Sequence, residues 1–221
     1  MLRRSNAVRF NAAGAAIDAD VSIPAGAGGV VIFVHGSGSS RHSPRNQAVA
    51  SHLQLQGFGT VLMDLLTPIE EREDQFTGHL RFDISFLARR VAAVIDELRS
   101  EITLPMGFFG ASTGAAAALV VAAGRPEVVS AVVSRGGRPD LAGDALPAIR
   151  SPTLLIVGSE DPEVLALNSK ALSRMECEAR LEIVPGASHL FHEPGALEAV
   201  AHLAADWFTA HATRRTAHET T

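Results

Sequence analysis

Two kinds of hydrophobic pattern alternate along the chain. Short continuous apolar runs, rich in β-branched residues, are typical of strands buried on both faces of a sheet. One such run lies at residues 30–34, and similar segments, some of which include a polar residue, predict strands at 60–65, 106–109, 128–134, 153–157 and 181–184. Over residues 83–99, apolar side chains instead recur at helical spacing opposite a charged face, which predicts an amphipathic helix. Strands that alternate with helices favour a mostly parallel sheet covered on both faces.

Capping residues and turns place the remaining elements. Ser43 followed by Pro44 predicts the start of a helix that runs towards Gly57. Other helices are expected over residues 113–123, after Pro162, and over 194–210, and a short edge hairpin over 7–10 and 16–23. The acidic stretch at residues 67–78 is expected to be a solvated loop, with a rim beside the ligand site as the alternative.

The length and composition favour one globular domain. We expect a single α/β domain over residues 1–213 and a disordered polar tail over 214–221. The basic start of the chain lacks an apolar signal-peptide core, and no apolar run reaches the length of a membrane span. A single cysteine, Cys177, agrees with a reducing compartment. We therefore expect a soluble, cytoplasmic protein that has no membrane partner.

Charge and residue clustering argue against several classes of ligand. The formal net charge is −5, and the basic residues are scattered rather than gathered in a stripe, so we expect no nucleic-acid partner. No paired His, Asp or Glu residues stand at metal-ligand spacing, so no metal is expected. The sequence does not indicate an oligomeric state.

The strongest chemical signal is Gly110-Ala111-Ser112-Thr113-Gly114, which lies between a predicted strand and a predicted helix. A nucleophile elbow needs this context, because a strained turn holds the nucleophile above the edge of the sheet. Small residues around Ser112 let the strand and the helix approach closely. The pattern therefore predicts Ser112 as a nucleophile.

A serine nucleophile needs a base and an acid that orients the base. In this fold the order along the chain is serine, then acid, then histidine. Asp161 follows the strand at 153–157, and we prefer it to Glu160 because Pro162 makes its position stiffer. Capping the next helix is the alternative role for this aspartate. His189 follows the last strand, and we prefer it as the base to His192, which stands nearer the final helix.

Two backbone amides are expected to form the oxyanion hole. Thr113 N–H follows the nucleophile, and Ser37 N–H lies in the glycine-rich loop at residues 35–40. A loop without a role is the alternative, and His35 in it is expected to be structural. After another strand, Arg135 or Arg138 is a candidate for binding an anionic group of the substrate, with a solvated or locally paired arginine as the alternative.

These segments together resemble the α/β-hydrolase superfamily and, within it, the small dienelactone-hydrolase-like proteins. Residues 37–46, 110–118, 134–141 and 186–195 look especially similar to hydrolase domains fused to phosphoribosyltransferases in some bacteria, although we expect the hydrolase part alone here. The resemblance implies the α/β-hydrolase fold, with a central, mostly parallel sheet of about eight strands, and hydrolysis of esters or lactones through an acyl-enzyme without a cofactor.

Two departures from the family pattern matter. Dienelactone hydrolases in the narrow sense use a cysteine where this chain has Ser112, which argues against dienelactone itself as the substrate. The path from Ser134 to Pro152 is also too short for a large cap domain, so an open site is expected. The expected function is a serine hydrolase acting on small-molecule carboxylic esters or lactones. Thioesters and amides, or a binding protein without turnover, are the alternatives.

Overall fold

All strands of the described chain lie in one sheet. The computed structural model describes residues 6–213, so the tail expected at 214–221 lies outside the described residues. The sheet has eight strands in the order β1-β2-β4-β3-β5-β6-β7-β8. The strands are β1 (Asn6–Ala12), β2 (Ala15–Ser22), β3 (Val30–Val34), β4 (Gly59–Met63), β5 (Met106–Ala111), β6 (Val129–Arg135), β7 (Thr153–Gly158) and β8 (Ala179–Val184).

The sheet is parallel from β4 to β8, and the first two strands form the predicted antiparallel hairpin at its edge. Every residue of β3, β4, β5 and β7 is buried. Continuous apolar sequence thus corresponds to strands covered on both faces. The predicted fold class is confirmed.

Helices cover both faces of this sheet. They are α1 (Pro44–Leu55), α2 (Pro68–Thr77), α3 (His79–Phe82), α4 (Ile84–Glu101), α5 (Thr113–Gly124), α6 (Pro162–Leu172) and α7 (Ala196–His211). The buried apolar side chains of α4 and α5 share one core cluster, and those of α1 and α7 share the other. Between residues 6 and 213, no helix combines the length and apolarity needed to cross a membrane.

The segment expected to be an acidic loop is helical, so that prediction is wrong. Thr67 caps α2 and forms a capping box with Glu70. Two of the acidic side chains are paired: Glu70 accepts two hydrogen bonds from Arg90, and the Asp74 carboxylate accepts from Nε and the backbone N–H of Arg81. Ion pairing therefore accounts for Glu70 and Asp74, while Glu71 and Glu73 are exposed on the helix.

The loops that follow the parallel strands carry the candidate site residues. The ends of β3, β5, β6, β7 and β8 lead into residues 35–40, Ser112, residues 136–138, residues 159–161 and residues 185–195. Between β6 and β7 lies a short 3₁₀ segment, Pro139–Ala148, and no cap domain is inserted there. Because carboxyl ends of parallel strands meet at one edge, all these loops converge.

Candidate active site

Ser112 occupies a strained turn between β5 and α5. Its backbone angles are φ 50° and ψ −125°. A non-glycine residue held in such a region costs about 1–3 kcal/mol, which the surrounding structure must supply. Backbone hydrogen bonds do so: Ser112 N–H donates to the Arg135 carbonyl at 3.4 Å, and Arg138 N–H donates to the Ser112 carbonyl at 3.1 Å. The loop after β6 therefore fixes the turn.

Close packing explains the glycines that flank Ser112. A Cβ atom on Gly110 would lie 2.5 Å from Ala115 Cα, and one on Gly114 would lie 2.2 Å from the His35 carbonyl oxygen. Both distances are too short for non-bonded atoms. The sequence therefore needs glycine at both positions to press α5 against β5 and against the end of β3.

Asp161 and His189 form a direct pair. His189 Nδ1 lies 2.6 Å from Asp161 Oδ2. Asp161 precedes the first residue of α6, but its side chain makes no capping hydrogen bond. The carboxylate can only accept, so Nδ1 carries the proton and Nε2 is left for another partner. The pair has the geometry in which a carboxylate fixes the tautomer of a general base.

The alternative residues in the same loops lie apart from this pair. Glu160 is exposed and accepts a hydrogen bond from Ser159 Oγ at 3.2 Å. His192 is exposed as well. Neither lines the cavity that contains Ser112. The geometry therefore favours Asp161 and His189, whose catalytic roles stay predictions.

One cavity brings the predicted residues together. It has a volume of about 240 Å³ and is lined by Ser37, Ser112, Arg135 and His189. A neighbouring cavity of about 270 Å³ lies across the loop at residues 35–40 and contains neither Ser112 nor His189. The first cavity is the candidate active site, because the nucleophile and base candidates both face it.

The two residues predicted for the oxyanion hole contact each other. Ser37 N–H donates to Thr113 Oγ1 at 3.0 Å. Thr113 begins α5, where the first N–H groups have no acceptor within the helix. The Thr113 hydroxyl, whose part the sequence does not reveal, thus holds the Ser37 amide beside the elbow.

The two candidate arginines differ in their surroundings. Arg135 lines the cavity and is 7% exposed. Arg138 does not line it, and instead donates two hydrogen bonds to Asp140 at 2.9 and 2.8 Å. Arg45 and Asn46 also line the cavity. Apart from their position at the start of α1, no sequence pattern marks these two residues as part of the site.

His35 has a structural role in the loop after β3. Its Nδ1 donates to the Gly36 carbonyl at 2.8 Å, and its Nε2 accepts from Leu65 N–H at 3.1 Å. Both ring nitrogens are thereby used by the backbone. Burial lowers the pKa of His35 below its ordinary value of 6.5, so the ring stays neutral in the folded protein.

This burial predicts a loss of stability in acid. The unfolded chain binds a proton at His35 that the folded chain rejects, so stability falls as the pH drops below about 6.5. We expect the Tm to fall between about pH 7.5 and about pH 5.5, and to fall less in His35→Asn, which cannot titrate. The exposed His42 provides the control, His42→Asn. Equal pH slopes for all three proteins would contradict this role.

Cys177 and metal coordination do not enter the site. Cys177 is half-buried before β8, and burial raises the pKa of its thiol, which disfavours the nucleophilic thiolate. Within residues 6–213, no group of three or more His, Cys, Asp or Glu side chains is placed to hold a metal ion.

A sheet of this order, whose central strand leads into a strained serine turn facing a histidine–carboxylate pair, defines an α/β hydrolase. The chain belongs to the dienelactone hydrolase family, whose family model matches residues 17–214. A crystal structure of a dienelactone hydrolase from Anabaena variabilis is 52% identical with a TM-score of 0.93, over 96% of this chain and 100% of that chain.

More distant and longer relatives complete the comparison. Est1E from Butyrivibrio proteoclasticus shares the fold with a TM-score of 0.78 at 15% identity, over 93% of this chain and 98% of that chain. A putative phosphoribosyl transferase of Mycobacterium tuberculosis is 54% identical over 194 residues, 86% of this chain. This chain matches 43% of that relative's length, which agrees with the expected similarity to a hydrolase domain fused to a transferase.

Proposed function

We propose that this hydrolase is a serine esterase or lactonase that forms an acyl-enzyme on Ser112. The observation that carries the proposal is that Ser112, at φ 50°, lines the same cavity as His189, which Asp161 holds by Nδ1. Acyl transfer needs a serine nucleophile, an imidazole base and a carboxylate that orients the base.

The reaction has two halves. His189 Nε2 takes the hydroxyl proton as Ser112 Oγ attacks the acyl carbon, and the imidazolium then gives that proton to the leaving alkoxide. Water attacks the acyl-enzyme in the second half, with His189 again as base, and Ser112 Oγ leaves with the returned proton. Asp161 stabilises the imidazolium in both halves.

The amides of Thr113 and Ser37 are proposed to bind the oxyanion of each tetrahedral intermediate. Since Ser37 N–H already points at Thr113 Oγ1, the hydroxyl acts as a positioning group for this amide. When the oxyanion binds, it would either accept the Ser37 N–H together with Thr113 Oγ1 or replace Thr113 Oγ1 as the acceptor.

Substitution of Thr113 tests this positioning role. We expect Thr113→Val to lower kcat about tenfold, since the Ser37 amide is misplaced rather than removed. Thr113→Ser keeps the hydroxyl and should stay close to the wild type. Steady-state hydrolysis of 4-nitrophenyl acetate measures both variants. A Thr113→Val protein as fast as the wild type would show that the Ser37 amide needs no anchor or plays no part.

Burst kinetics test the proposed function itself. An acyl-enzyme route predicts that mixing with 4-nitrophenyl acetate releases 4-nitrophenolate in a rapid first turnover, followed by a slower steady rate. Parallel assays of a thioester and an anilide test the thioesterase and amidase alternatives. No turnover of any of these compounds by the folded protein would favour a binding protein.

Cytoplasmic residence and the absence of a nucleic-acid partner stay predictions.

A further inference from the structure

Arg135 is a buried cation to which no residue of the described chain supplies a carboxylate. It is the last residue of β6 and is 7% exposed. Its Nε and Nη1 atoms are shielded from solvent, and no described residue accepts a hydrogen bond from them. The guanidinium carbon of Arg135 lies 6.0 Å from the centre of the Phe191 ring, which makes a cation–π contact. Burying a charge without a counterion is costly, so the position needs a physical reason.

The same protein pairs both terminal nitrogens of another buried guanidinium with an acid, and only its Nε lacks a hydrogen-bond partner among the described residues. Arg90 is 3% exposed and donates to both carboxylate oxygens of Glu70, at 2.6 and 2.5 Å. Its Nη1 also donates to the Leu65 carbonyl at 2.9 Å. Arg135 differs in having no such acid, although it is nearly as deeply buried.

A second arginine of the same charge lies beside it. Arg45 lines the same cavity, and its Nε atom is buried and unpartnered within the described chain. Burial, together with the Arg45 charge, lowers the pKa of Arg135 to about 10, so Arg135 is still cationic at neutral pH. None of the described residues lining this cavity is Asp or Glu.

We propose that Arg135 and Arg45 bind an oxyanionic group of the substrate, a phosphate or a carboxylate, beside Ser112. This inference rests on the proposed function and names the substrate class: a small ester or lactone that carries an anionic group. The cavity of about 240 Å³ contains both the arginines and Ser112, so the anionic group and the acyl carbon belong to one small molecule.

Guanidinium forks recognise the paired oxygens of either group. Two adjacent cations match the charge of a phosphate, about −1.5 to −2 at neutral pH, better than that of one carboxylate. We therefore expect phosphate-bearing compounds to bind more tightly than their carboxylate counterparts.

Thermal unfolding tests the anion site without any turnover. Arg135→Met removes an unpaired buried charge and is expected to raise the Tm by about 3 °C or more in anion-poor buffer. Inorganic phosphate and succinate should raise the Tm of the wild type, phosphate more, but not that of Arg135→Met. Arg138→Met removes an arginine that Asp140 already pairs, and should respond to both anions like the wild type.

Kinetics then test whether the anion belongs to the substrate. Three 4-nitrophenyl esters are compared: the neutral acetate, the monoanionic succinate and the 3-phosphonopropionate. The ratio of kcat/KM for an anionic ester to that for the acetate should fall about 100-fold in Arg135→Met. The ratio should fall in Arg45→Met as well, and stay unchanged in Arg138→Met.

The outcomes separate this inference from the proposed function. If the wild type hydrolyses the acetate but neither anion raises its Tm, and Arg135→Met leaves the ester ratio unchanged, the anion site is overturned while the serine hydrolase stands. If no ester is cleaved but phosphate or succinate raises the Tm through Arg135, the binding site stands and the proposed chemistry falls.

Discussion

Replacement of Ser112 by alanine is expected to lower kcat for 4-nitrophenyl acetate by about 10⁴-fold or more. The variant has no hydroxyl to form the acyl-enzyme, so the burst should vanish together with the steady-state rate. Cys177 cannot take its place, because it lies outside the cavity and burial raises the pKa of its thiol.

The effect on folding provides the control for this variant. Alanine is as strained as serine at φ 50°, so Ser112→Ala should unfold at nearly the temperature of the wild type. Ser169→Ala removes an exposed hydroxyl that donates only to the Leu165 carbonyl within α6, and should keep the wild-type rate. Comparable turnover by the wild type and Ser112→Ala would exclude Ser112 as the nucleophile.

Asp161→Asn is expected to lower kcat by about 10³- to 10⁴-fold. The asparagine amide can donate to His189 Nδ1, which favours the tautomer that carries its proton on Nε2. That nitrogen then cannot accept the Ser112 proton. The loss comes from the tautomer rather than from the position of the ring, which lies 2.6 Å from the carboxylate in the wild type.

The neighbouring Glu160 offers a matched control for the charge. Glu160→Gln removes one negative charge from an exposed position in the same loop, and its rate should stay within about twofold of the wild type. If the two variants lost activity equally, a general change in loop charge or folding, rather than orientation of His189, would be responsible.

The elbow could be predicted from the sequence because its requirements are local. Gly110 and Gly114 are demanded by backbone atoms only a few ångströms away, and the apolar strand before Ser112 marks its place in the sheet. The order of the loops after β7 and β8 likewise pointed to Asp161 and His189, since parallel strands bring their carboxyl ends to one edge.

The helix α2 was missed for a physical reason. Its sequence is dominated by charged residues without a clear apolar stripe, so periodicity gave no signal. Its stability comes instead from the Thr67–Glu70 capping box and from the pairing of Glu70 with Arg90, which is distant in sequence. The available cues were the spacing of Thr67 and Glu70 and the proline that follows Thr67, as at the start of α1.

The arginines show what sequence order cannot decide. Arg135 and Arg138 both follow β6, and only the structure places one in the cavity and pairs the other with Asp140. Arg45 is distant from Arg135 in the sequence, and the two residues come together only because α1 packs on the sheet. Like-charged neighbours from separate elements leave no pattern along the chain.

Labelling with a fluorophosphonate, located by mass spectrometry, tests the activated serine most directly. The probe reacts with a serine hydroxyl that a neighbouring base has activated, and it requires no knowledge of the substrate. We expect a single adduct on the peptide that contains Ser112, and strongly reduced labelling in Ser112→Ala and His189→Ala. A folded wild type that stays unlabelled, or labelling that does not depend on His189, would contradict an acyl-enzyme hydrolase built on Ser112.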